Sequence, residues 1–412
     1  MNNTEDKNKT TQEPETPVGD HRCIFIPPQL LAAVAGSSSQ QENHASAPDA
    51  VFQLQITNST SAIDDREEIS LSVKKALDSI THAQVPATGR NRQVYDLQFN
   101  KHPSAFPGVL VRSEGEPSCG DKTADALYDN MGVVYDFFEQ AFGDANIFRD
   151  HHPPIGIVHY DFYYAGAWFH VPYPSDSPIS RHQALICGDG WDNDPWNQGG
   201  ALKTYGGCFG NFAASIEVVA HEMAHGFVNA VCGLGLGGEP GIIHEHLADV
   251  FGIMCEQFSK GQTVEEGDWL VGEDLVAPEW KGVAMRSFKA PGTAYLLKHI
   301  GIGDDPQVGH MKRFYSGTQD GGGVHINSGI PNRAFHLVAT GLGDKFSWER
   351  AGRIWYAALT RGAVAPDCGL ERWAMLTLRA TKKTLKYGPV AVQVVWNAWK
   401  EVGIILPAEM VS

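Results

Sequence analysis

The chain has 412 residues, of which 42% are hydrophobic, so it can bury one large or two medium cores. Its formal net charge is −16 and no cluster of Lys and Arg stands out, which argues against nucleic acid or an anionic membrane as a partner. No apolar run approaches the roughly 18 residues that a membrane span needs. The composition predicts an acidic folded protein that is large enough for an enzyme.

The N-terminus is polar, and residues 1–20 are rich in Pro, Thr and Glu, which is typical of a disordered tail. These residues lack both a basic start before an apolar core and a small-residue cleavage site. They therefore predict no secretory signal and a cytoplasmic location, with export by another route left open. The seven cysteines are an odd number without a CxxC pair, which excludes a zinc ribbon and favours reduced thiols.

Residues 21–90 predict a segment appended to the folded body. An apolar patch around Pro27 and Pro28 is followed by a linker rich in Ser, Ala, Gln and Asn, then by an amphipathic stretch and a basic loop. From about Val94 the pattern changes to short strand-like runs. The folded body is therefore expected to begin there.

The stretch DKTADALYDNMGVVYDFFEQAFG predicts a helix capped by Asp121, with apolar residues at helical spacing: Leu127, Met131, Val134, Phe138 and Phe142. The following PIGIVHYDFYYAGAWF is alternating and aromatic, which predicts strands. Residues 170–212 are rich in Gly, Pro, Asp and Trp. They predict a long loop that fits a lid or a calcium loop equally well.

Helical patterns dominate after Ala213, so strands come first and helices follow. This order predicts an α+β fold with a β-rich N-terminal lobe and a helical C-terminal lobe. The predicted divisions are the tail, the pro-segment with its linker, the N-terminal catalytic lobe and the C-terminal lobe: residues 1–20, 21–90, 91–232 and 233–412.

The stretch VVAHEMAHGF places two histidines four residues apart. If Ala214 to Cys232 is a helix, His221 and His225 share one face with Cβ atoms about 5–6 Å apart, near enough to bind one metal ion. Coincidence in a chain with 17 histidines, or a pair of core histidines, is the alternative. The spacing favours a zinc site at which Glu222 takes the proton of an activated water.

A catalytic zinc ion takes three protein ligands and keeps one position open. The stretch PGIIHEHLADVFG offers Glu245, nineteen residues after His225, and Asp249 one turn later. We expect Glu245 to bind the ion and Asp249 to accept the second ring N–H of a ligand histidine. The alternative is a solvated helix face, which the apolar neighbours disfavour: Ile242, Ile243, Leu247, Val250 and Phe251.

The order HExxH, nineteen residues, then E with LADVFG resembles the thermolysin family of zinc metallopeptidases. The stretch TQDGGGVHINSGIPNRAFH, Thr318 to His336, is similar to that family's most characteristic segment. The resemblance covers residues 94–412 and implies a two-lobed thermolysin-like fold with the zinc helix between the lobes. It also implies a monomeric zinc-dependent endopeptidase that acts on peptides or proteins.

The resemblance assigns further roles. His325 would stabilise the oxyanion, Asp320 would orient His325, Arg286 would hold a substrate carbonyl, and Ala167 would offer a backbone carbonyl. Three apolar positions would line the pocket for the residue after the scissile bond, although they fit an ordinary core equally well: Val218, Leu275 and Met285. Cleavage before bulky apolar residues is therefore expected.

Four acidic residues match positions that hold structural calcium in this family: Glu217, Glu256, Asp268 and Glu273. Leu270 stands where a further carboxylate is frequent, which favours one ion over two. A solvated acidic surface is the alternative.

The stretch CIFIPPQLL, Cys23 to Leu31, resembles the short pro-segment of the protealysin-like branch. It implies a latent precursor whose own N-terminal segment covers the cleft as an intramolecular inhibitor. Cys23 would then be a thiolate ligand to the zinc, the alternative being an ordinary cysteine in an apolar patch. Self-cleavage is expected within Ala87 to Gln93.

Three positions depart from the family pattern. Leu236 replaces a tyrosine that helps to hold the oxyanion, Gly166 replaces an asparagine that binds the substrate backbone, and His244 also stands for an asparagine. Each lost transition-state donor can cost about 10² to 10³ in rate. A catalytically impaired zinc protein that binds peptides or a partner in the cleft is therefore the alternative to an active peptidase.

Overall fold

The computed structural model describes residues 23–24, 90–149, 153–162, 164–170, 183–190, 209–276, 284–297, 303–383 and 388–410. The predictions for the tail, the linker and most of residues 170–212 lie outside the described residues. The strands are β1 Cys23–Ile24, β2 Gln93–Asp96, β3 Val109–Ser113, β4 Ile155–Val158, β5 Ala167–His170, β6 Ala184–Cys187, β7 Leu270–Val271, β8 Arg286–Ser287, β9 Leu296–Leu297 and β10 Gly303–Asp304. The helices are α1 Lys122–Phe142, α2 Ile216–Cys232, α3 Gly238–Lys260, α4 Asp320–Asn327, α5 Gly329–Leu342, α6 Arg350–Arg361, α7 Leu370–Lys383 and α8 Gly388–Glu401.

The N-terminal lobe is built on a six-stranded sheet in the order β1-β5-β6-β4-β2-β3. Strand β4 pairs in parallel with β2 and β6, and the other neighbours are antiparallel. Helix α1 packs across this sheet close to Gly156, where a Cβ atom would lie 2.7 Å from Leu127 Cδ2. The glycine therefore allows the helix to approach the middle of the sheet.

The predicted helix α1 is confirmed together with its cap. The side chain of Asp121 accepts from the Ala124 N–H, and Gly143 ends the helix in the left-handed conformation with a φ of 73°. Of the predicted apolar residues, four are buried and Phe142 is partly buried against the core. Local capping and spacing thus specified this helix.

One element was missed within the stretch predicted as a loop. Residues Ala184–Cys187 form β6, an inner strand that is buried throughout its length. A strand covered on both faces shows no alternation of polar and apolar residues, so periodicity could not reveal it. The loop prediction is wrong for these four residues.

Helix α2 lies on β5 and packs along α3. The predicted start at Ala214 is wrong, because Phe212–Ala214 forms a separate 3-10 turn. The helix begins at Ile216 after the cap Ser215, whose hydroxyl accepts from the Val218 N–H. The helix ends at Gly233, as expected. A Cβ atom on Gly226 would lie 2.6 Å from the Phe169 ring, so this glycine lets the helix rest directly on β5.

The remaining described helices form the second lobe. Helices α5 to α8 pack against one another and α3, with Trp355, Trp373 and Trp399 fully buried among them. Two short hairpin-like pairs, β7 with β8 and β9 with β10, precede this bundle. The predicted α+β class, with a β-rich first lobe and a helical second lobe, is confirmed. None of the described helices combines the length and hydropathy that crossing a bilayer requires.

Candidate active site

The predicted zinc ligands converge at the contact between α2 and α3. His221 Nε2 lies 3.1 Å from His225 Nε2 and 3.6 Å from Glu245 Oε2, and His225 Nε2 lies 3.9 Å from Glu245 Oε1. The three residues are at most 2% exposed, and their ligand atoms lie within 4.8 Å of one another. Two imidazole nitrogens and one carboxylate are the donor set that a catalytic zinc ion takes.

The electrostatic balance of this group also fits a cation. Burial alone would raise the pKa of Glu245, but the charges of His325, His225 and His221 hold it well below the usual value. Burial lowers the pKa of His225 well below its usual value. The site therefore combines a carboxylate with at least one neutral imidazole, which is the protonation state in which both bind a metal.

Asp249 lies behind His221, as the sequence predicts. Its Oδ1 atom is 3.0 Å from His221 Nδ1 and accepts from Arg286 Nε and Nη2 over 3.0 and 2.7 Å. Its Oδ2 atom accepts from Asn332 Nδ2 over 2.8 Å. The guanidinium of Arg286 is fully buried against Asp249, and a contact of Arg286 with substrate stays a prediction.

Asn332 was missed in the sequence. It lies on α5, seven residues after His325, and nothing in its local pattern distinguishes it from a residue that merely packs. Its position within the characteristic stretch from Thr318 to His336 was the available signal.

Glu222 is fully buried next to the ligand group, and neither of its carboxyl oxygens has a hydrogen-bond partner among the described residues. Burial and the charge of Glu245 raise the pKa of Glu222 well above the usual value. Such a carboxyl group can exchange a proton near neutral pH once a cation neutralises its neighbour.

His325 faces the same group from α4. Its Nε2 atom lies 3.2 Å from Glu245 Oε2, and its Nδ1 atom lies 2.6 Å from Asp320 Oδ1. Burial alone would lower the pKa of His325, but Glu245 and Asp320 raise it well above the usual value. Asp320 has a φ of 56°, and three glycines with positive φ follow it, so the turn before His325 depends on their backbone freedom.

The predicted pocket residues Val218, Leu275 and Met285 are at most 1% exposed and belong to the hydrophobic core, so their substrate role stays a prediction. Ala167 is the first residue of β5. The carbonyl of the preceding residue, Gly166, accepts from the Gly188 N–H on the side of β6. Because backbone groups alternate in direction along a strand, those of Ala167 and Phe169 point away from β6. They point toward β1, where Cys23 is opposite Phe169.

The side chain of Cys23 is not among the described features, so a zinc-bound thiolate stays a prediction. Cys23–Ile24 pairs in antiparallel fashion with β5, the strand on which helix α2 lies. The appended segment thus meets the body at the sheet edge that Ala167 belongs to.

The departures from the family pattern have physical counterparts. A Cβ atom on Gly166 would meet the Tyr164 ring at 3.1 to 3.4 Å, so that ring takes the room of a larger side chain. Leu236 is partly buried just before α3 and offers no donor. His244 is 1% exposed, and its Nε2 atom lies 3.4 Å from the His225 carbonyl oxygen.

The predicted calcium residues lie near one another without forming a compact ligand set. Glu217 is 1% exposed, with Oε2 accepting from the Gly272 N–H and Oε1 buried without a partner in the described part of the chain. Glu256 accepts from the Lys260 ammonium over 2.6 Å, while Asp268 and Glu273 are exposed. Among the described residues, only the zinc group brings three ligand atoms within 4.8 Å.

Two family models match the chain: the thermolysin metallopeptidase catalytic domain over residues 85–229 and the thermolysin metallopeptidase alpha-helical domain over residues 232–404. The extracellular metalloprotease of Pectobacterium carotovorum subsp. carotovorum is 34% identical over 382 residues, which are 93% of this chain and 96% of the relative. The structure of the precursor of protealysin, a metalloproteinase from Serratia proteamaculans, is similar with a TM-score of 0.70 and 33% identity. The similarity covers 93% of this chain and 99% of that chain.

The relatives overturn one expectation. Besides the Pectobacterium protein, the extracellular minor metalloprotease of Serratia marcescens (strain ATCC 21074 / E-15) is 33% identical over 264 residues, 62% of this chain and 65% of the relative. The predicted cytoplasmic location is therefore wrong. It depended on a missing secretory signal, which is evidence about one export route only.

Proposed function

Because the chain belongs to the thermolysin family of zinc metallopeptidases, we propose that it cleaves peptide bonds before bulky apolar residues with Glu222 as general base. The observation that carries this proposal is the carboxyl group of Glu222, buried without a partner beside the ligands His221, His225 and Glu245. An unpaired buried carboxyl group is costly. A role in proton transfer accounts for its place.

The chemistry follows from the positions of the side chains. A zinc ion held by His221, His225 and Glu245 would lower the pKa of a bound water toward about 7 and polarise the substrate carbonyl. Glu222 takes a proton from the attacking water and returns it to the leaving amine. Glu245 and Asp320 raise the pKa of His325, so its ring is held as an imidazolium that donates from Nδ1 to Asp320 and from Nε2 to the oxyanion as charge develops.

The proposed substrate site extends along β5. The carbonyl of Ala167 points away from β6, so an extended peptide can pair with it as an added strand. The buried apolar side chains of Val218, Leu275 and Met285 are the proposed walls for the residue after the scissile bond.

We also propose that the chain is made as a latent precursor that acts outside the cell. The pairing of Cys23–Ile24 with β5 supports this, because an intramolecular strand on that edge excludes a substrate strand. The similarity to a precursor structure supports it as well. Self-cleavage between Ala87 and Gln93 would remove the strand.

A single structural calcium ion is a further part of the proposal. Glu217 and Glu256 mutually oppose ionisation, since burial and then the charges of Glu256 and Asp274 raise the pKa of Glu217. A cation at Glu217 Oε1, which has no hydrogen-bond partner among the residues that the structure describes, would relieve that repulsion.

The test compares the full chain with Glu222→Ala and Glu245→Ala, measuring zinc content, intact mass over time and hydrolysis of a peptide with Leu after the scissile bond. We expect the parent to cleave and to shorten near Ala87 to Gln93. Glu222→Ala should keep about one zinc and lose activity by about 10² to 10⁴-fold, whereas Glu245→Ala should lose the zinc.

Two observations favour a second candidate, a zinc protein that binds peptides in the cleft without cleaving them. The oxyanion lacks a donor at Leu236, and the Tyr164 ring crowds Gly166. If the parent holds zinc, stays intact and hydrolyses no peptide, this second function replaces the first.

A further inference from the structure

A network of hydrogen bonds runs from the second lobe to Asp249, which lies against the proposed zinc ligand His221. Trp355 Nε1 donates to His246 Nε2 over 2.7 Å, His246 Nδ1 lies 2.7 Å from Asn332 Oδ1, and Asn332 Nδ2 donates to Asp249 Oδ2 over 2.8 Å. Asp249 Oδ1 lies 3.0 Å from His221 Nδ1. All five residues are at most 1% exposed, so water does not compete for these bonds.

The indole N–H of Trp355 fixes the direction of every hydrogen bond that follows in this network. An indole N–H can only donate, so His246 Nε2 must accept and the proton of the neutral ring is on Nδ1. Asn332 therefore accepts through Oδ1 and donates through Nδ2, which assigns its amide orientation. Both oxygens of Asp249 are then acceptors, and Oδ1 lies 3.0 Å from His221 Nδ1. The carboxylate therefore favours the tautomer of His221 with the proton on Nδ1 and the lone pair of Nε2 left for a metal.

The hydrogen-bond network joins three helices of the second lobe. His246 and Asp249 lie on α3, Asn332 on α5 and Trp355 on α6. A residue that only filled space between these helices would not need two polar atoms. A buried imidazole without both partners would also be costly.

We propose that His246 is a positioning residue that holds Asn332 and Asp249, and through them the imidazole of His221, in the orientation that binds zinc. The inference rests on the proposed zinc site of His221, His225 and Glu245. Partners behind ligating histidines typically contribute 10- to 100-fold in metal affinity. His246 therefore acts on metal retention without touching the metal or the substrate.

The experiment measures the rate at which a chelator removes zinc from the full chain and its variants. His246→Leu removes both polar atoms, Trp355→Phe removes only the indole donor, and His246→Gln restores an acceptor and a donor. Trp399→Phe is the matched control. Trp399 is equally buried, its ring stacks on Trp355 with the centroids 6.0 Å apart, and its indole donates to Thr377, which does not belong to the network.

We expect His246→Leu to lose zinc 10- to 100-fold faster than the parent, Trp355→Phe to lose it several-fold faster, and His246→Gln to return toward the parent rate. Thermal unfolding is measured in parallel, and Trp399→Phe should lose stability without faster zinc loss. Equal zinc retention in His246→Leu and the parent would overturn the inference alone. A parent chain that binds no zinc would overturn the proposed function and this inference together.

Discussion

The two proposed histidine ligands, His221 and His225, differ in what lies against their second ring nitrogens. His221 Nδ1 faces Asp249, whereas His225 Nδ1 is buried without a partner among the described residues. His244 is the neighbour that could accept from it, but its ring presents Nε2 to the His225 carbonyl instead. One ligand is therefore oriented by a carboxylate and the other mainly by packing.

This difference predicts a gain from His244→Asn. The amide oxygen of asparagine would accept from His225 Nδ1–H, which removes an unsatisfied donor and orients the ring. We expect zinc loss to a chelator to slow by about 10-fold. His244→Leu, which fills the space without an acceptor, is the control, and equal rates for the Asn and Leu variants would disprove the explanation.

At the scale of elements, a buried histidine ties α1 to two loops of the N-terminal lobe. His159 Nδ1 lies 2.6 Å from Asp189 Oδ2, and Nε2 lies 3.2 Å from Asp121 Oδ2, the residue that caps α1. Burial alone would lower the pKa of His159, but Asp189 and then Asp121 and Asp96 raise it to about 9.

The raised pKa predicts how stability depends on pH. The pKa of His159 is about 6.5 in the unfolded chain and about 9 in the folded one. Its full contribution to the free energy of unfolding is therefore present below pH 6.5 and is lost as pH rises through about 9. We expect a loss on the order of 1 to 2 kcal/mol after discounting for solvent screening. Urea unfolding of the parent and His159→Gln between pH 6.5 and 9.5 measures it, and parallel pH profiles would contradict the assignment.

The acidic cluster between α2, α3 and β7 predicts a response to calcium. Calcium chloride should raise the unfolding temperature by a few degrees over magnesium chloride at the same concentration. Lys260→Met should enlarge the effect, because the ion then replaces an ammonium at Glu256. Glu217→Gln should abolish it, and the absence of a calcium-specific shift in the parent, Lys260→Met and Glu217→Gln alike would contradict a calcium ion at this cluster.

At the scale of the whole molecule, latency is proposed to come from backbone pairing. Since the backbone groups of Phe169 point toward β1, its partner Cys23 pairs with it, whereas the groups of Ile24 point away from β5. The structure therefore separates two explanations of latency, one through the backbone of Cys23 and one through its thiol.

Three variants discriminate these explanations in the full chain. Cys23→Pro removes the N–H that faces Phe169, so we expect shortening near Ala87 to Gln93 several-fold earlier than in the parent. Ile24→Pro is the matched control and should change the rate less, because its N–H faces away. Early shortening of Cys23→Ser would instead support the thiolate, since serine keeps the backbone donor.

The sequence by itself predicted α1, α2, the family and the residues of the proposed zinc site, because each depends on local spacing. Asp121 caps α1, whereas Gly233 ends α2 and the two histidines lie four residues apart within it. Each signal acts inside a single helix, where 3.6 residues per turn decide which side chains lie together. Glu245 could be predicted because Glu245 and Asp249 lie one turn apart among apolar residues, nineteen residues after His225.

Tertiary structure decided what depends on distant contacts. It showed that Ala184–Cys187 is an inner strand, that Cys23–Ile24 pairs with β5, and that hydrogen bonds link Trp355 through His246 and Asn332 to Asp249, which lies against His221. No spacing rule joins residues more than a hundred positions apart. Their hydrogen bonds arise only when packed helices and strands exclude water and bring distant donors and acceptors within reach of one another.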